Sequence, residues 1–420
     1  MDTISNKVYQ ELIKDSVWDK TYEKMMAREK GAFSNAFDLL VLKSSDDRYT
    51  KAQQICDGSY EWSIPEKVML AKSGTTKKRT VYLYSETDRF LLGVLYRTLN
   101  NAYGHLIAPN CFSYRSGVST RTAITYIDNK KKTTNMYGLK LDISAYFNSV
   151  SREHLNNCLT ELFGVDTGIR KTMDKLFAND DITYKGVNGQ EYKALIPGCA
   201  LGSFFADYCL KSIDEYFLDK QVIYARYSDD IILLDESREV INEHLDYIKA
   251  RLSEYGLSIN EKKYVHFNPD ESVEYLGLAL SNDGVDISEH AKKKLKKTIK
   301  RWVKAGRKDI EMNHKDFEKV ARNIVNRLNW KLYKSYILDE RKFGWAYYAF
   351  RYITVLDSMT EIDFYLRDRL RYLKTGKNNK MNVKALNDED FRKLGVLSLY
   401  DMYQLFHEDF DYYCEVAYLI

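Results

Sequence analysis

The sequence predicts an α+β fold, in which a small antiparallel sheet carries clustered carboxylates and much of the remaining chain is helical. Two apolar segments predict the sheet. Residues 222–234 place β-forming side chains on both sides of an Asp-Asp pair, and residues 138–142 end in a third aspartate. The helices are predicted by the distribution of proline, since residues 270–420 contain none. With 420 residues, 45% of them hydrophobic, the chain can bury a core and form two or three domains.

The Asp-Asp pair, Asp229 and Asp230, is predicted to form the turn of a β-hairpin. Aspartate is unfavourable inside a strand and favourable in a tight turn. Two adjacent carboxylates repel each other unless a cation lies between them, and a divalent metal with oxygen ligands meets that need. Phosphoryl transfer commonly uses two such ions. The alternative is an acidic turn that is merely solvated.

A third carboxylate, Asp142, ends the apolar segment 138–142 and precedes the aromatic pair Tyr146 and Phe147. A strand that ends in this way can bring Asp142 beside Asp229 as the second metal ligand. The competing interpretation is that Asp142 caps the helix that follows, because a helical pattern begins near residue 151.

Two basic sites lie ahead of these acids. Lys78 and Arg79 precede the alternating strand 80–84, and a strand that begins with cations can present them to phosphates. The solvated tip of a hairpin would explain the same residues. Arg115 adds positive charge beside Tyr114 in a polar loop and is a candidate for contact with nucleic acid.

The densest basic segment, residues 291–304, has apolar side chains at helical spacing and cations on its other faces. Such a helix can follow the phosphates of a nucleic-acid duplex without reading its sequence. The alternative is a solvated surface helix. The candidate phosphate-binding cations are Lys293, Lys296, Lys300 and Arg301.

The amino-acid composition says less about the class of protein than these motifs do. The net charge of +4 does not by itself indicate a nucleic-acid-binding protein. The six cysteines form no CxxC pair and are predicted to be reduced and mostly in the core. No apolar leader follows Met1 and no segment approaches the length of a membrane span, which predicts a cytoplasmic protein without a membrane partner.

Taken in chain order, these segments resemble the reverse transcriptases. The Tyr-Ser-Asp-Asp box at residues 227–230 and the strand that ends in Asp142 are similar to the metal-binding blocks of the palm, and residues 78–89 are similar to a strand and helix of the fingers. A YxDD box alone is weak evidence, whereas seven further blocks in the same order along the chain are specific. The other blocks that carry the resemblance are 112–117, 197–214, 257–263, 275–277 and 343–348 with 362–363.

The resemblance implies a right-hand polymerase, with an antiparallel palm sheet and a helical thumb. The parts implied are an N-terminal helical extension (1–65), fingers and palm (66–284), a helical thumb (285–375) and a C-terminal helical tail (376–420).

The resemblance also implies a metal centre and its ligands. Asp142 and Asp229 are expected to bridge two Mg²⁺ ions, or Mn²⁺ in their place, with Asp230 as an outer member. Ile143 can add only its main-chain carbonyl as an oxygen ligand. Lys263 is the candidate general acid for the leaving pyrophosphate, with Lys262 as the competing choice.

Five residues are implied to contact the incoming nucleotide, and one of them is Ile143, the candidate metal ligand. Lys78 and Arg79 are expected to hold its β- and γ-phosphates. Phe147 is expected to form a wall against a ribose 2′-hydroxyl, and Gly198 belongs to the nucleotide-binding segment. That segment departs from the family pattern: Pro197-Gly198 stands in place of Gln-Gly, and a serine follows the glycine by five residues, at Ser203, instead of four. A contact to the template or the nucleotide is therefore expected to be lost or remade.

The function expected from these observations is RNA-directed DNA synthesis in bacterial antiphage defence. The enzyme would copy a dedicated non-coding RNA template into cDNA from dNTPs. Signatures of the retron branch and an intron-type endonuclease extension are not evident, which favours the defence-associated (unknown-group and abortive-infection) relatives. One alternative is a retron-type or group II intron-derived enzyme with a mobility or housekeeping role. Another is a polymerase fold that only binds structured RNA, although such a binder need not keep three clustered acids.

Overall fold

The computed structural model describes residues 1–28, 36–44, 46–71, 78–130, 136–281, 283–334, 344–377 and 380–419. They form two compact units, Met1–Pro269 and Asp270–Ile420. Parts of two predicted segments, the basic turn at 72–77 and Phe343 of the thumb block, lie outside the described residues. The four-part division predicted from the sequence stays a prediction.

The first unit is mostly helical, and its N-terminal helices belong to its core. Val8 and Trp18 are fully buried, and the Trp18 ring packs edge-on against Phe90 at 5.6 Å between ring centroids. The described helices of the segment 1–65 are therefore packed onto the same body as the later helices. The helices of this unit are α1 (Thr3–Leu12), α2 (Asp15–Arg28), α3 (Ala36–Ser44), α4 (Asp47–Asp57), α5 (Glu86–Tyr103), α6 (Thr120–Lys130), α7 (Tyr146–Ser149), α8 (Arg152–Phe163), α9 (Gly168–Phe177), α10 (Ala200–Tyr208), α11 (Lys211–Tyr216) and α12 (Arg238–Glu254).

Two four-stranded sheets complete this unit. The N-terminal sheet has the order β2-β1-β4-β5, and the central sheet has the order β6-β7-β3-β8, with every pairing in the central sheet antiparallel. The strand predicted at 80–84 begins earlier, so Lys78 and Arg79 lie inside β2. The strands are β1 (Glu66–Ala71), β2 (Lys78–Leu83), β3 (Tyr137–Asp142), β4 (Asp181–Tyr184), β5 (Val187–Gln190), β6 (Ile223–Tyr227), β7 (Asp230–Asp235) and β8 (Val265–Phe267).

The predicted hairpin at 222–234 is confirmed as β6 and β7. Four consecutive β7 residues, 231–234, are buried, as are Leu139 and Leu141 on the neighbouring β3. These side chains are covered by helices, which is why the strands have apolar runs without the alternation of a half-exposed sheet.

The second unit combines seven described α-helices with a small antiparallel sheet of order β11-β10-β9. Its strands are three residues each, too short for periodicity to reveal them. Tyr275 ends β9, and Leu276 and Gly277, the rest of the motif block at 275–277, both have positive φ and form a turn. The elements are β9 (Val273–Tyr275), β10 (Leu278–Leu280), β11 (Val285–Ile287), α13 (Glu289–Asn313), α14 (Phe317–Tyr333), α15 (Trp345–Ala349), α16 (Asp357–Thr375), α17 (Asp388–Lys393), α18 (Leu399–Glu408) and α19 (Phe410–Leu419).

A buried carboxylate joins two helices of the second unit. Asp363 on α16 accepts hydrogen bonds from the main-chain N–H groups of Leu399 and Tyr400, at 2.8 and 3.0 Å, and from the Ser398 hydroxyl. These donors lie at the N-terminus of α18, where the first N–H groups have no partner within the helix. Asp363 thus anchors the C-terminal helices to α16.

No helix among the described residues combines the length and apolar composition that a membrane crossing requires. All six cysteines are unpaired thiols, and five of them are buried, as the sequence predicts.

Candidate active site

The turn between β6 and β7 holds the first part of the site. Tyr227 pairs with Asp230 across the hairpin, so Ser228 and Asp229 alone form the turn. Ser228 has a φ of 58°, a left-handed conformation that tight hairpin turns require. Its N–H donates to the Ser113 hydroxyl at 2.9 Å, which fixes the turn against a neighbouring loop. Asp229 lies in the turn as predicted, whereas Asp230 is already the first residue of β7.

The third carboxylate is brought to the same end of the central sheet. Asp142, the last residue of β3, lies directly opposite Asp230 in the strand register, and the N–H of Ile143 donates to the Asp229 carbonyl at 3.0 Å. Asp142 does not cap the next helix, because Ser151 is the N-cap of α8. The structure therefore brings together the three acids that the sequence placed about 90 residues apart.

The negative charge of this cluster is incompletely balanced. Burial raises the pKa of Asp229, and the nearby charge of Asp142 raises it further. Burial also raises the pKa of Asp230, although the ammonium of Lys140 opposes the shift. Raised carboxylate pKa values mean that the ionised forms are destabilised here, so a further cation would stabilise them.

The structure distinguishes between the two lysines that the sequence left open. The ammonium of Lys263 lies 2.5 Å from an Asp142 carboxylate oxygen, and Asn260 donates to the other oxygen at 3.2 Å. Lys262 instead uses its main-chain N–H to bond the Asn260 side chain. Burial lowers the pKa of Lys263, but its hydrogen bond to Asp142 outweighs this and leaves the pKa raised.

Lys140 is a site residue that the sequence analysis missed. Its ammonium lies 3.6 Å from an Asp230 carboxylate oxygen. The sequence does indicate that Lys140 lies near the acids. It precedes Asp142 by two positions on β3, and residues two apart on a strand share a face.

The donor set fits a hard divalent cation such as Mg²⁺, which prefers carboxylate and carbonyl oxygens. Asp142, Asp229 and Asp230 supply the carboxylates. The main-chain bonds around Ile143 use its own N–H, the N–H of Ser144 and the carbonyl of Asp142, and none of them uses the Ile143 carbonyl oxygen. This oxygen is thus compatible with the predicted ligand role.

A cavity of about 770 Å³ opens beside the acids, between the N-terminal and central sheets. Lys78 and Arg79 line it from β2, and Asp229 lines it from the hairpin turn. Phe147 and Gly198 form other parts of its wall. Four of the five positions predicted to contact a nucleotide therefore surround one space next to the carboxylates, whereas Ile143 does not line it.

Gly198 allows the loop before α10 to approach the N-terminal sheet closely. Its φ is 99°, and a Cβ atom at this position would lie 3.1 Å from the Val81 Cβ. The N–H of Tyr82 donates to the Pro197 carbonyl at 2.8 Å, so β2 is bonded directly to this loop. The cations of β2 are thereby held across the cavity from the hairpin.

The departure from the family pattern at residues 202 and 203 has a packing explanation. A Cβ atom on Gly202 would lie 1.9 Å from the Leu195 carbonyl oxygen, so α10 can pack against this loop only with glycine there. Ser203 lines the cavity instead. The serine is therefore displaced by one position along α10 and still faces the site.

Phe147 is half-buried and supported from two sides. The N–H of Leu195 donates to its carbonyl at 3.0 Å, and the Tyr114 ring packs edge-on against its ring at 6.3 Å. The Tyr114 hydroxyl donates to the Ser228 hydroxyl at 3.1 Å, which connects this wall to the hairpin turn. The contact between Tyr114 and Phe147 could not be inferred from the sequence, because the two residues lie far apart along the chain.

Residues 70–280, half of the chain, match the family model described as reverse transcriptase (RNA-dependent DNA polymerase). The chain belongs to the reverse transcriptase family. The matched segment contains the central sheet, which is the palm, and all three carboxylates.

A curated relative is the Retron Ec83 reverse transcriptase of Escherichia coli, which is 23% identical over 242 residues, covering 53% of this chain and 77% of the relative. Similar solved structures include the telomerases of Candida tropicalis and Candida albicans, at 12% and 11% identity and TM-scores of 0.40 and 0.42. The matches cover 53% and 82% of this chain, and 55% and 64% of those telomerase chains.

In this reverse transcriptase, the palm hairpin is braced by a buried charge cluster that the sequence analysis missed. Arg226 lies on β6 with its side chain fully buried, and Asp207 and Asp214 are buried beside it. Asp214 forms a two-point ion pair with Arg226, whereas Asp207 lies 3.7 Å from it. The sequence feature that could have revealed this cluster is an arginine inside an otherwise apolar strand, because arginine is almost never fully buried unless it is paired.

Arg115 is directed inward in the structure. Its guanidinium donates to the main-chain carbonyls of Ile107, Ala108 and Cys111. These bonds hold the loop after α5, and the predicted contact of Arg115 with nucleic acid stays a prediction.

The predicted basic helix is confirmed as part of the longer α13. Lys292 and Lys296 pair with Glu361 of α16, a neutralising acid that the sequence did not indicate. Lys293 keeps 78% of its side chain exposed, with Glu289 3.9 Å away. The exposed cations within residues 291–304 are Lys293, Lys294, Lys297, Lys300, Arg301 and Lys304.

Proposed function

We propose that this chain synthesises DNA on an RNA template by two-metal nucleotidyl transfer. The observation that carries the proposal is the meeting of Asp142, Asp229 and Asp230 at one end of the palm sheet, beside a cavity lined by Lys78 and Arg79. Clustered carboxylates that face a basic cavity suit a substrate with a triphosphate and a metal-activated hydroxyl.

Asp142 and Asp229 would bridge the ions, with Asp230 and the Ile143 carbonyl beside them. Two Mg²⁺ ions held there would lower the pKa of the primer 3′-hydroxyl and neutralise the charge of the leaving pyrophosphate. Lys263, held against Asp142 in the absence of substrate, is the candidate proton donor to that leaving group.

The residues around the cavity would orient the nucleotide. Arg79 can bind phosphate oxygens with two parallel hydrogen bonds, and Lys78 adds a point charge beside it. Phe147, supported by the Tyr114 ring, would leave no room for a ribose 2′-hydroxyl. Selection of deoxynucleotides would then be steric.

The second unit would supply affinity for the template and product. The exposed cations of α13 form a stripe along one side of a 25-residue helix, at spacings of three, four and seven residues. Phosphate contacts by such a stripe position a duplex without reading its sequence.

We further propose that the template is a dedicated non-coding RNA and that the cDNA serves bacterial antiphage defence. The blocks at residues 78–89 and 112–117 are shared with the retron and group II intron enzymes, and this branch is favoured because the short signatures of the retron branch are not evident in the sequence. A second candidate is a retron-type enzyme, which is favoured by the match to the Retron Ec83 reverse transcriptase over 53% of the chain. A protein that only binds structured RNA is disfavoured, because binding alone does not require buried carboxylates whose ionised forms are destabilised.

Sequencing of the nucleic acids that co-purify with the protein tests this proposal. The wild type is expected to carry both an RNA and a DNA complementary to it, whereas the Asp142→Asn variant should carry the RNA alone. One recurring RNA transcribed from a neighbouring locus would support a dedicated template. DNA in equal amounts with both proteins would contradict polymerisation, and RNA of random sequence would contradict a dedicated template.

A further inference from the structure

A second cluster of metal-binding side chains lies in the first unit, apart from the three catalytic carboxylates. His154 and Cys158 lie one turn apart on α8, and Cys209 is the C-cap residue of α10. The imidazole nitrogen and both sulfurs lie within 4.8 Å of one another. Both thiols are buried, whereas His154 is partly exposed and provides a path from solvent.

The spacing of these atoms is close to that of a tetrahedral zinc site. Zinc–sulfur bonds of about 2.3 Å and zinc–nitrogen bonds of about 2.1 Å place neighbouring ligand atoms roughly 3.6 to 3.8 Å apart. The Cys158 sulfur already lies 3.8 Å from Nε2 of His154. The three ligand atoms are at most 4.8 Å apart, so a movement of about 1 Å by one side chain would bring the widest pair to the spacing of a zinc site.

The histidine ring is held in place by its surroundings. It stacks on Tyr255, with 3.7 Å between ring centroids and 13° between the planes. Its Nε2 lies 2.7 Å from the Cys209 carbonyl, so the nitrogen already points toward α10. Tyr255 in turn is bonded through its hydroxyl to Ser212. A ring fixed in this way loses little conformational freedom when it binds a metal.

We propose that His154, Cys158 and Cys209 bind one Zn²⁺ ion that ties α8 to the end of α10. Thiolate and imidazole ligands select zinc over the hard cations that suit the catalytic carboxylates. Binding releases the two thiol protons to solvent, and the Nε2 proton moves to Nδ1 of the neutral imidazole, so that Nε2 gives up its bond to the Cys209 carbonyl and coordinates the metal. Among the described residues no fourth His, Cys, Asp or Glu side chain joins the cluster, so the fourth position takes a water molecule.

The role of this ion is structural. Cys209 follows Asp207 by two residues, and Asp207 belongs to the charge cluster around Arg226. A metal that fixes the end of α10 therefore stabilises the helix that braces the palm hairpin, without contact with the substrate.

Cobalt substitution tests the site directly. The full-length protein, purified under reducing conditions and stripped with chelator, is titrated with Co²⁺. We expect one equivalent to produce thiolate-to-cobalt charge-transfer bands and the intense visible bands of a tetrahedral centre, and Zn²⁺ to remove them. Mg²⁺ in excess should leave them unchanged, which separates this site from the catalytic carboxylates.

Variants assign the ligands. Cys158→Ser and Cys209→Ser should each abolish the charge-transfer bands or weaken binding at least 100-fold, whereas Cys56→Ser and Cys414→Ser, which change thiols outside the cluster, should not. Zinc should also raise the Tm of the wild type and of the controls, but not that of the two ligand variants. The wild-type titration and the zinc content of freshly purified protein remain decisive if a variant fails to fold.

Three results would overturn the proposal. They are the absence of thiolate-to-cobalt bands in the reduced wild type, full binding by both ligand variants, and a Cys158–Cys209 disulfide that persists in protein purified under reducing conditions. The last result would make the pair a redox-active dithiol instead.

Discussion

Arg226 and Asp214 form a two-point ion pair inside the palm, with Nε 2.8 Å from one carboxylate oxygen and Nη2 2.6 Å from the other. The same guanidinium donates through Nη1 to the Ser228 carbonyl at 3.0 Å, one residue before Asp229. The turn that carries Asp229 is therefore positioned by a buried ion pair.

Breaking this pair should destabilise the protein strongly. Asp214→Asn leaves the Arg226 guanidinium buried with less negative charge beside it, and loss of one partner of a buried pair typically costs about 3 to 5 kcal/mol. Urea unfolding measures the change. The matched control is Glu254→Gln, which breaks the exposed Arg251–Glu254 pair and should leave the free energy of unfolding almost unchanged. Equal, small losses in both variants would contradict the bracing role.

Asp207 should make stability depend on pH. Its carboxyl group is buried away from water, which raises its pKa to about 7. Arg226 opposes the shift, but Asp214 shares the same guanidinium. The folded state therefore holds a proton that the unfolded state, with a pKa of 3.8, releases. The free energy of unfolding should fall as pH rises from about 4 to about 7.

The Asp207→Asn variant tests this dependence, because an amide cannot ionise. The measurement is the free energy of unfolding, from urea titrations at several pH values within that window. The variant should gain stability relative to the wild type as pH rises. A stability difference that stays constant with pH would show that Asp207 does not titrate there.

Removal of the turn carboxylates should abolish activity without unfolding the protein. In the double variant Asp229→Ala and Asp230→Ala, nucleotide incorporation should fall to background because two metal ligands are gone. Stability should not fall, because burial and the Asp142 charge destabilise the ionised Asp229. Asp235→Ala, at the other end of β7, is the control and should keep its activity. Incorporation by the double variant would exclude the proposed metal centre.

Phe147→Ala should admit ribonucleotides. The change removes the ring that lines the cavity, so discrimination against the 2′-hydroxyl is expected to drop by about 10- to 200-fold. Single-nucleotide addition with matched ribo- and deoxynucleotides measures the ratio. Tyr114→Phe, which keeps the supporting ring and loses only the bond to Ser228, should retain the preference. An unchanged ratio in Phe147→Ala would place the steric wall elsewhere.

Neutralising the exposed stripe of α13 should weaken template-primer binding for all sequences. Each phosphate contact contributes about 0.7 to 0.9 to the slope of log affinity against log salt, so Lys293, Lys297 and Lys300 changed to Gln should lower its magnitude by about 2 to 3. Lys296 is left unchanged because it pairs with Glu361.

A charge-matched control variant loses the same number of positive charges at positions outside α13. It neutralises three lysines that each pair with a glutamate elsewhere, Lys14, Lys175 and Lys393. Binding measured over a range of salt concentrations should give this control the wild-type slope. Identical slopes for all three proteins would leave α13 as an ordinary solvated helix.

The sequence alone determined the elements that depend on local pattern. Apolar arms around Asp229 and Asp230 predicted a hairpin, and the proline-free segment 270–420 predicted helices, because residue preferences for turns and strands act over a few residues. The order of seven motif blocks was enough to indicate the family. Secondary structure and motifs that are defined within short segments of the chain could therefore be predicted from the sequence.

Tertiary structure decided what depends on contacts between distant residues. It brought Asp142 to Asp230 and placed Lys263, not Lys262, against Asp142. It also turned Arg115 inward and paired Lys296 with Glu361. None of these has a local signature, because a charged side chain has the same sequence context whether its partner is solvent or a residue on another element. Burial of Arg226 is the clearest case, since only packing from α10 and α11 supplies the acids that make it stable there.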